Sequence, residues 1–487
     1  MTVSQERQVV SRGRAIFLCS VLGLLCAAIP ASAQRTNPSS ASNPFFGSVT
    51  VQQVTSGRLK LSLDDAIRRG LENNLGLREA EAGQKALQGE KDVALQQFLP
   101  TITLTGDSGF HQYNLAAMGF SPGVAAKFSK LMPPGVGAFS PITRDTLTEG
   151  QVHFSQTLFS GPVIGGYKAA GAAERVAHYA RMSAEGDVVQ QVAVTYLQSI
   201  AAASNVADAK ALVAADRVAL DHATAEHEAG TVPRLDVLRA QVELQARQQE
   251  VIAAQNNLDK TLILLKREIG IAPEQEIELT DRAPYSELAA QTPEAVQEIA
   301  YKNRQDYQGL INKVAEYKAV RAAYRSERLP ALSFNGYYGV STVNGAGTHG
   351  NFAVFGTLKF PIFREARLRG NEDAAQAEYN AAQAQLADLR TQINEQVRDA
   401  LLDVAAAAKL VDVARSNVEL ARQTVSDETL RVNAGVDSNL PLVTAQAALA
   451  SAQNNLVESL FRYNVAKLAL ARAAGVIETQ YRNYLGQ

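Results

Sequence analysis

The chain contains 487 residues with a formal net charge of −2 at pH 7, and 46% of its residues are hydrophobic. This near-neutral charge gives no electrostatic reason to expect a nucleic-acid partner. Both cysteines, Cys19 and Cys26, lie close to the N-terminus. The rest of the chain is therefore predicted to contain neither a disulfide framework nor a cysteine metal site.

The first element is a short apolar run from Ala15 to Ile29, which follows three arginines and precedes small residues at 31–33. A basic start, an apolar middle and a small-residue exit are typical of a secretory signal peptide. We assign residues 1–33 to this peptide, with cleavage directly after it. The alternative is an N-terminal membrane anchor, but the run is short for a helix that crosses a bilayer.

The remainder of the chain consists of two similar halves. Each half opens with a helical stretch that ends in Leu-Pro, and each later contains an Ala-Gly turn, at Gly230 and Gly435. Self-similarity of this kind indicates one structural unit used twice, here helix, strand, strand, long helix, tight turn and long helix. Chance similarity between alanine-rich helices does not explain the shared order of the landmarks. The predicted divisions are a polar linker at 34–58, a first repeat at 59–275, a second repeat at 276–475 and a C-terminal tail at 476–487.

Four segments alternate apolar and polar residues, at 101–110, 151–158, 332–341 and 351–360. Period-two alternation predicts a sheet that is apolar on one face and polar on the other. A strand of a soluble β-sandwich has the same pattern, so the strands alone leave that alternative open. The residues predicted to face lipid are Ile102, Leu104, Val152, Phe154, Phe334, Tyr338, Phe352 and Leu358.

No apolar run of about 18 residues remains after the signal peptide, so the sequence predicts no membrane-spanning helix. An exported chain can also cross a bilayer through closed β-strands, and roughly ten alternating residues suit such a strand. Four strands are too few to close a membrane barrel. Two copies would leave an interior just filled by side chains, whereas three copies would leave a lumen. A channel built from this chain is therefore predicted to be a trimer.

Long helical patterns follow the strands, at about 166–229 and 366–434, and each would extend about 100 Å. The second carries a valine at every seventh residue, at Val397, Val404, Val411, Val418, Val425 and Val432. A sustained period of seven keeps one stripe of a helix against a partner helix. The alternative is an ordinary coiled coil in an exported structural or adhesive protein, which would leave the four strands unexplained.

These landmarks resemble the TolC-like outer-membrane factor family over nearly all of the mature chain. The resemblance rests on the opening residues 61–66, the Leu-Pro before each first strand and the two Ala-Gly turns. It implies an α+β fold, with four strands per chain in a trimeric twelve-stranded outer-membrane β-barrel and long helical hairpins in a periplasmic α-barrel. It also implies a homotrimer that works with a periplasmic adaptor and an inner-membrane pump. The expected function is a passive efflux or type I secretion duct, neither an enzyme nor a cofactor protein.

The family's gate lies at the periplasmic turns between the long helices, and the alternative is that these segments are only turns. Glycine tolerates the backbone reversal that such a turn requires, and Thr231 and Ser438 are predicted to cap the returning helices. Acidic residues near a threefold axis would form a charged ring, with Arg234 or Arg239 as pairing candidates. Pro441 and Thr444 occupy places where family members often carry acids. The residues predicted for the gate and the adaptor contact are Gly230, Thr231, Val232, Asp236, Val237, Leu238, Gly435, Asp437, Ser438, Leu440 and Leu442.

Two further segments receive structural interpretations. The long connection of the first strand pair, at about 113–149, is predicted to fold over or into the outer mouth, because its apolar residues would otherwise be exposed. The alternative is a disordered loop. The G-x-G-x-x-G pattern at 345–350 lies between two strands, so we interpret it as a hairpin loop and not as a dinucleotide site. A periplasmic adaptor remains an alternative class, but it would need a lipoyl-like β-module.

Overall fold

The structure, a computed structural model, describes residues 38–133, 142–281, 285–343, 347–434, 436 and 439–486. Its strands are β1 Leu59–Leu61, β2 Thr101–Asn114, β3 Ile142–Phe159, β4 Ile277–Leu279, β5 Ala331–Val343 and β6 Thr348–Lys359. Its helices are α1 Leu63–Asn73, α2 Leu75–Gln96, α3 Pro122–Leu131, α4 Gly161–Glu228, α5 Arg234–Glu268, α6 Pro293–Asn303, α7 Gln305–Ser326, α8 Glu365–Asn433, α9 Asn439–Ala473 and α10 Ile477–Leu485. The predicted α+β class is confirmed. None of the described helices is long and apolar enough to span a membrane.

The two halves of the chain have nearly identical helix lengths. Helices α1 and α6 have 11 residues each, α2 and α7 have 22, α5 and α9 have 35, and α4 and α8 have 68 and 69. The helical stretch that opens each half was predicted as one unit, but the structure divides it at Asn74 and at Arg304. Both residues adopt extended backbone angles, and the Asn74 side chain accepts a hydrogen bond from the amide of Gly76 at the start of α2.

Four long strands form one antiparallel sheet in the order β2-β3-β5-β6. They are longer than predicted, with 14, 18, 13 and 12 residues. The first connection is correspondingly shorter than predicted, since β2 extends to Asn114 and β3 begins at Ile142. The strand ends were missed because polar residues there interrupt the alternation, whereas the sheet pairs their backbones regardless of side chain. The connection contains α3, which the sequence had not indicated.

A short parallel sheet joins the beginnings of the two halves. Strand β1 pairs with β4, with Leu59 opposite Ile277. The segment before β1 is also held in place, because the Gln52 amide donates to the carbonyl of Gly270. Helix α10 occupies the segment predicted as a tail and buries Ile477 and Leu485 in the core.

The core runs along the long helices. Helix α4 packs against α2, α5, α7 and α9, and α8 packs against α7 and α9. The predicted valine stripe lies in this contact, since Val397 and Val411 are fully buried and Val418 is 7% exposed. Each fully buried valine contributes roughly 1.5–2 kcal/mol through removal of its side chain from water.

Candidate functional site: one sheet face and two hairpin tips

The first candidate surface is the apolar face of the four-stranded sheet. Cross-strand partners share a face, and the register pairs Ile102 with Phe154, Leu104 with Val152, and Val152 with Tyr338. Continuing the register places all eight residues predicted to face lipid on this one side. Seven of these eight residues are exposed in the single chain, with Leu104 at 79%, and Phe154 is half-buried. The surface has the composition of a lipid-contacting face, and its contact with lipid stays a prediction.

The opposite face of the same sheet is predominantly polar. The His153 ring nitrogen Nε2 and the Thr105 hydroxyl lie 3.0 Å apart, and the His153 ring also contacts the ring of Tyr337. Asp107 and Glu149 are directly paired in the register on this face. Polar groups on one side and apolar groups on the other suit a sheet that separates an aqueous space from a nonpolar one.

The first hairpin tip, between α4 and α5, is a tight turn. Gly230 has a φ of +77°, which a residue with a side chain adopts only under strain. The Thr231 hydroxyl donates to the carbonyl of Glu226 at 2.7 Å, and the His227 ring nitrogen Nδ1 lies 2.9 Å from the carbonyl of Val232. The Thr231 hydroxyl thus satisfies a carbonyl in the last turn of α4, as helix termini require.

The predicted capping role of Thr231 is wrong. The residue before α5 is Pro233, which forms no side-chain cap, and Thr231 instead bonds to the preceding helix. The geometric reason is that the turn directs the Thr231 hydroxyl back towards α4. Asp236 lies in the first turn of α5, where an acid interacts favourably with the helix dipole. Its carboxylate pairs with Arg239 at 3.4 Å, so Arg239 is the one of the two suggested arginines that contacts it.

The remaining predicted tip residues are less completely described. In the first tip, Val232 and Val237 are half-buried and Leu238 is 45% exposed. In the second tip, Gly435, Asp437 and Ser438 lie outside the described residues, as does the side chain of Leu440. Val436 is 73% exposed, and Leu442 is half-buried on the first turns of α9. The assignment of a gate to this tip stays a prediction.

An ionic cluster between α4 and α5, in which Asp216 is the buried member, was missed. Arg247 on α5 lies 2.7 Å from Glu243, 3.0 Å from Glu250 and 3.6 Å from Asp216 on α4. Burial raises the pKa of Asp216, while the guanidinium of Arg247 opposes that shift. The spacing of Glu243, Arg247 and Glu250 along one helix was visible in the sequence, but the contact across to Asp216 was not.

Two buried titratable groups near the top of the hairpins were also missed. Glu268 on α5 is fully buried and accepts hydrogen bonds from Gln191 and Thr195, and burial raises its pKa to about 8. Lys467 on α9 is fully buried and donates to the carbonyl of Ser286, and burial lowers its pKa to about 8. No sequence pattern distinguishes these residues from exposed charges on the same helices.

A duplicated chain that combines a sheet with one apolar and one polar face and two helical hairpins of about 100 Å has the architecture of an outer-membrane channel subunit. The apolar face suits the membrane, and the hairpins extend away from it into the periplasm. Within the described ranges, no group of three or more His, Cys, Asp or Glu side chains is placed to hold a metal ion.

Comparison with known proteins identifies the family. The sequence profile of the Outer membrane efflux protein family matches residues 66–270 and 296–476, which is most of the chain. The chain belongs to this family, and the protein is an outer-membrane duct that extends into the periplasm. The two matched segments coincide with the two halves described above.

Individual relatives and structures agree with this assignment. The chain is similar to nodulation protein T of Rhizobium leguminosarum bv. trifolii, with 22% identity over 85% of each chain. It is also similar to the alkaline protease secretion protein AprF of Pseudomonas aeruginosa, with 26% identity over 52% of this chain and 54% of the relative. Its fold matches the CmeC outer membrane channel of Campylobacter jejuni with a TM-score of 0.71, 14% identity and coverage of 89% of this chain and 92% of the other.

Proposed function

We propose that three copies of this chain close into a passive duct from the periplasm to the exterior. The observation that carries the proposal is the open sheet. Within the described part of the chain, β2 and β6 each pair with a neighbour on only one side. Unpaired edges at membrane depth are costly, and strand pairing between copies would remove them. Three copies would contribute twelve strands, with the apolar face towards lipid and the polar face towards a water-filled lumen.

The helical half supports the same assembly. Large apolar side chains are exposed along α8, where Leu402 is 68% exposed, and along α5, where Ile252 is 70% exposed. These two helices lie at opposite edges of the layer that α5, α4, α9 and α8 form. Contact between the α8 edge of one copy and the α5 edge of the next would cover both stripes and continue the barrel below the membrane.

The partners in this proposal are a periplasmic adaptor and an inner-membrane pump, which act at the hairpin tips. Exposed apolar residues at the first tip, including Leu235 and Leu238, provide a surface for such contacts. The pump supplies the energy, and the duct itself catalyses no reaction. AprF is named for secretion of a protease, and the family is named for efflux, so the conduit is proposed to carry solutes or proteins.

The gate in this proposal lies at the two tips. Asp236 and Asp437 would place up to six carboxylates near the threefold axis, and the pairing of Asp236 with Arg239 would limit their repulsion. If charge does not set the constriction, Leu440 and Leu442 form the apolar alternative. At the other end, α3 and the flanking residues are proposed to fold over the mouth, because Leu131 is 86% exposed and Phe128 is 50% exposed.

The assembly is tested by native mass measurement of the protein extracted from outer membranes with detergent. The proposal predicts three chains per particle and discrete conductance steps after reconstitution into planar bilayers. A soluble monomer recovered from the periplasmic fraction would contradict it.

A further inference from the structure

The two halves of the chain correspond residue by residue. The opening helices are divided at Asn74 in the first half and at Arg304 in the second, 230 positions later. The Leu-Pro pairs of the two halves are also 230 positions apart, so each α2 residue matches the α7 residue 230 positions later. Gly270 and Gly475, both with positive φ, are likewise separated by the 205 positions that relate α4 and α5 to α8 and α9.

Residues that are in contact within the first half have matching residues that are in contact within the second, even where the type of interaction differs. Lys91 of α2 pairs with Glu174 of α4 at 3.6 Å, and the matching residues Arg321 and Tyr379 form a cation–π contact. In the same way, the edge-to-face ring pair of Phe98 and Tyr167 is matched by the 2.7 Å ion pair of Arg328 and Glu372. The two halves are therefore packed in the same way internally.

The contact between the halves is present only once in a single chain. Helix α4 of the first half packs on α7 and α9 of the second. The matching surfaces are α8 of the second half and α2 and α5 of the first. Burial differs accordingly at matched positions. Leu197 is 3% exposed and its counterpart Leu402 is 68% exposed, while Leu468 is fully buried and its counterpart Ile263 is 43% exposed.

We infer that α8 of one copy binds α2 and α5 of the next copy in the register that α4 uses on α7 and α9 within one chain. This inference rests on the proposed trimer and adds its residue-level interface. The exposed apolar positions above become buried in this arrangement, and the contact between copies repeats the contact between halves. Six equivalent units would then surround one axis, two from each copy.

The register assigns an ion pair between copies. Within one chain, Arg472 of α9 donates to the carboxylate of Asp187 at 2.6 Å and to the hydroxyl of Ser183 at 2.9 Å, both on α4. The matching residues are Arg267 of one copy and Gln392 and Asp388 of its neighbour. Asp388 matches Ser183, so the carboxylate on α8 lies one helical turn before the position that matches Asp187, on the same face of the helix. Arg267 and Asp388 are both exposed in the single chain, as such an interface requires.

The register also assigns a close backbone approach. A Cβ atom added to Gly309 of α7 would lie 3.5 Å from the Cβ of Tyr179 of α4. The matching residues between copies are Glu79 of α2 and Ala384 of α8, and both are exposed in the single chain. Disulfides form at Cβ separations of about 3.5–4.5 Å, so cysteines at these positions are placed to cross-link neighbouring copies.

Cysteine cross-linking tests the register. The native cysteines, Cys19 and Cys26, lie in the predicted signal peptide, so a Glu79→Cys/Ala384→Cys variant has no competing thiols after cleavage. Mild oxidation in native outer membranes is expected to convert the majority of chains into covalent trimers that a reductant returns to monomers. The matched control is Gln84→Cys/Ala384→Cys, because Gln84 faces His178 of its own chain at 3.4 Å. This control is expected to remain monomeric.

Charge exchange provides the second test. Arg267→Glu brings two acids together, so the trimer is expected to dissociate roughly tenfold more readily on dilution in detergent, and Arg267→Glu/Asp388→Arg is expected to restore it. A native trimer in which the control pair cross-links and the Glu79/Ala384 pair does not would overturn the register while leaving the proposed function intact. A native protein that is monomeric in the membrane would overturn both.

Discussion

The two helical hairpins have the same geometry but different interiors. The first, α4 with α5, contains the ionic cluster of the buried Asp216 with Arg247, and the corresponding positions of the second hairpin are Ala421 and Ala452. The second, α8 with α9, packs through its valine stripe and small residues, and Ala452 is 8% exposed. The returning helices α5 and α9 both have 35 residues, so the difference between the two interiors does not change the helix length.

The comparison separates what forms a hairpin from what distinguishes one hairpin from the other. The shared apolar seam supplies the packing, as Val206 and Val411 occupy matched buried positions. The ionic cluster contributes charge-dependent contacts to the first hairpin only. A buried ion pair often adds little net stability relative to apolar packing, yet breaking it by removal of one partner is strongly destabilising. Each hairpin is therefore the natural reference for substitutions in the other.

The largest effect is expected from removal of the cation in the first hairpin. Asp216 is 5% exposed, and Arg247→Ala leaves its carboxylate without a positive partner. This substitution should lower the free energy of unfolding by about 3–5 kcal/mol. Asp216→Ala/Arg247→Ala, which copies the alanines of the second hairpin, should recover most of this loss. Heat-induced dissociation of the purified assembly measures both. A double variant as unstable as the single one would show that the alanine packing of the second hairpin cannot replace the ionic contacts of the first.

The next effect concerns the buried titratable groups, each of which has an apolar counterpart in the other hairpin. The pKa of Glu268 is raised from 4.5 to about 8, so its contribution to stability is lost as pH rises through that interval. Glu268→Gln replaces the carboxyl with an amide that does not titrate. The stability of this variant relative to wild type should therefore increase from pH 5 to pH 8, by about 3 kcal/mol. Melting temperatures across this range measure the gain. A gain that does not change with pH would contradict the assignment.

Lys467 should behave in the opposite sense. Burial lowers its pKa from 10.5 to about 8, so the unfolded chain takes up a proton at a higher pH than the folded chain does. The free energy of unfolding is therefore highest above pH 10.5, decreases as pH falls towards 8, and stays low below pH 8. Relative to wild type, Lys467→Met should be most stabilised below pH 8, and the difference should shrink between pH 8 and pH 10. Thermal unfolding at several pH values checks the slope. A difference that grows towards pH 10 would exclude a proton on a buried lysine as its cause.

A smaller effect is expected from the seam that both hairpins share. Val206→Ala and Val411→Ala remove matched side chains that are 5% and 0% exposed, and each should cost about 2 kcal/mol. Limited proteolysis, read at cleavage sites in each hairpin, reports the local loss of stability. Costs that differ several-fold between the two variants would mean that the hairpins are not equivalent in packing.

The smallest effect on stability is expected at the first tip. Asp236 and Arg239 form an exposed ion pair, which typically contributes less than about 1 kcal/mol, and Pro441 and Thr444 replace them in the second hairpin. Asp236→Asn should leave assembly intact and lower the preference for cations in bilayer recordings, while Asp437→Asn tests the second tip. Unchanged selectivity and unchanged closed-state current in both variants would place the constriction at Leu440 and Leu442.

Periodicity made the repeated elements predictable from sequence. The alternating strands and the valines at every seventh position report local geometry directly, and they indicated the sheet face and the long hairpins. Contacts between distant segments leave no such pattern. The pairing of β1 with β4, the ion pair from Asp216 to Arg247 and the burial of Glu268 depend on tertiary packing, so local reasoning missed them. The role of Thr231 was misassigned because a hydroxyl can bond to either helix at a turn, and the turn geometry decides which.

Each chain is proposed to provide two equivalent units of a closed ring around a lumen. Electron cryomicroscopy of detergent-extracted particles, viewed along the axis, would show this ring and its lumen. We expect threefold symmetry in the sheet region, a near-sixfold arrangement of helical hairpins below it and a continuous cavity on the axis. Particles with one or two chains, or a filled centre without a channel, would contradict it.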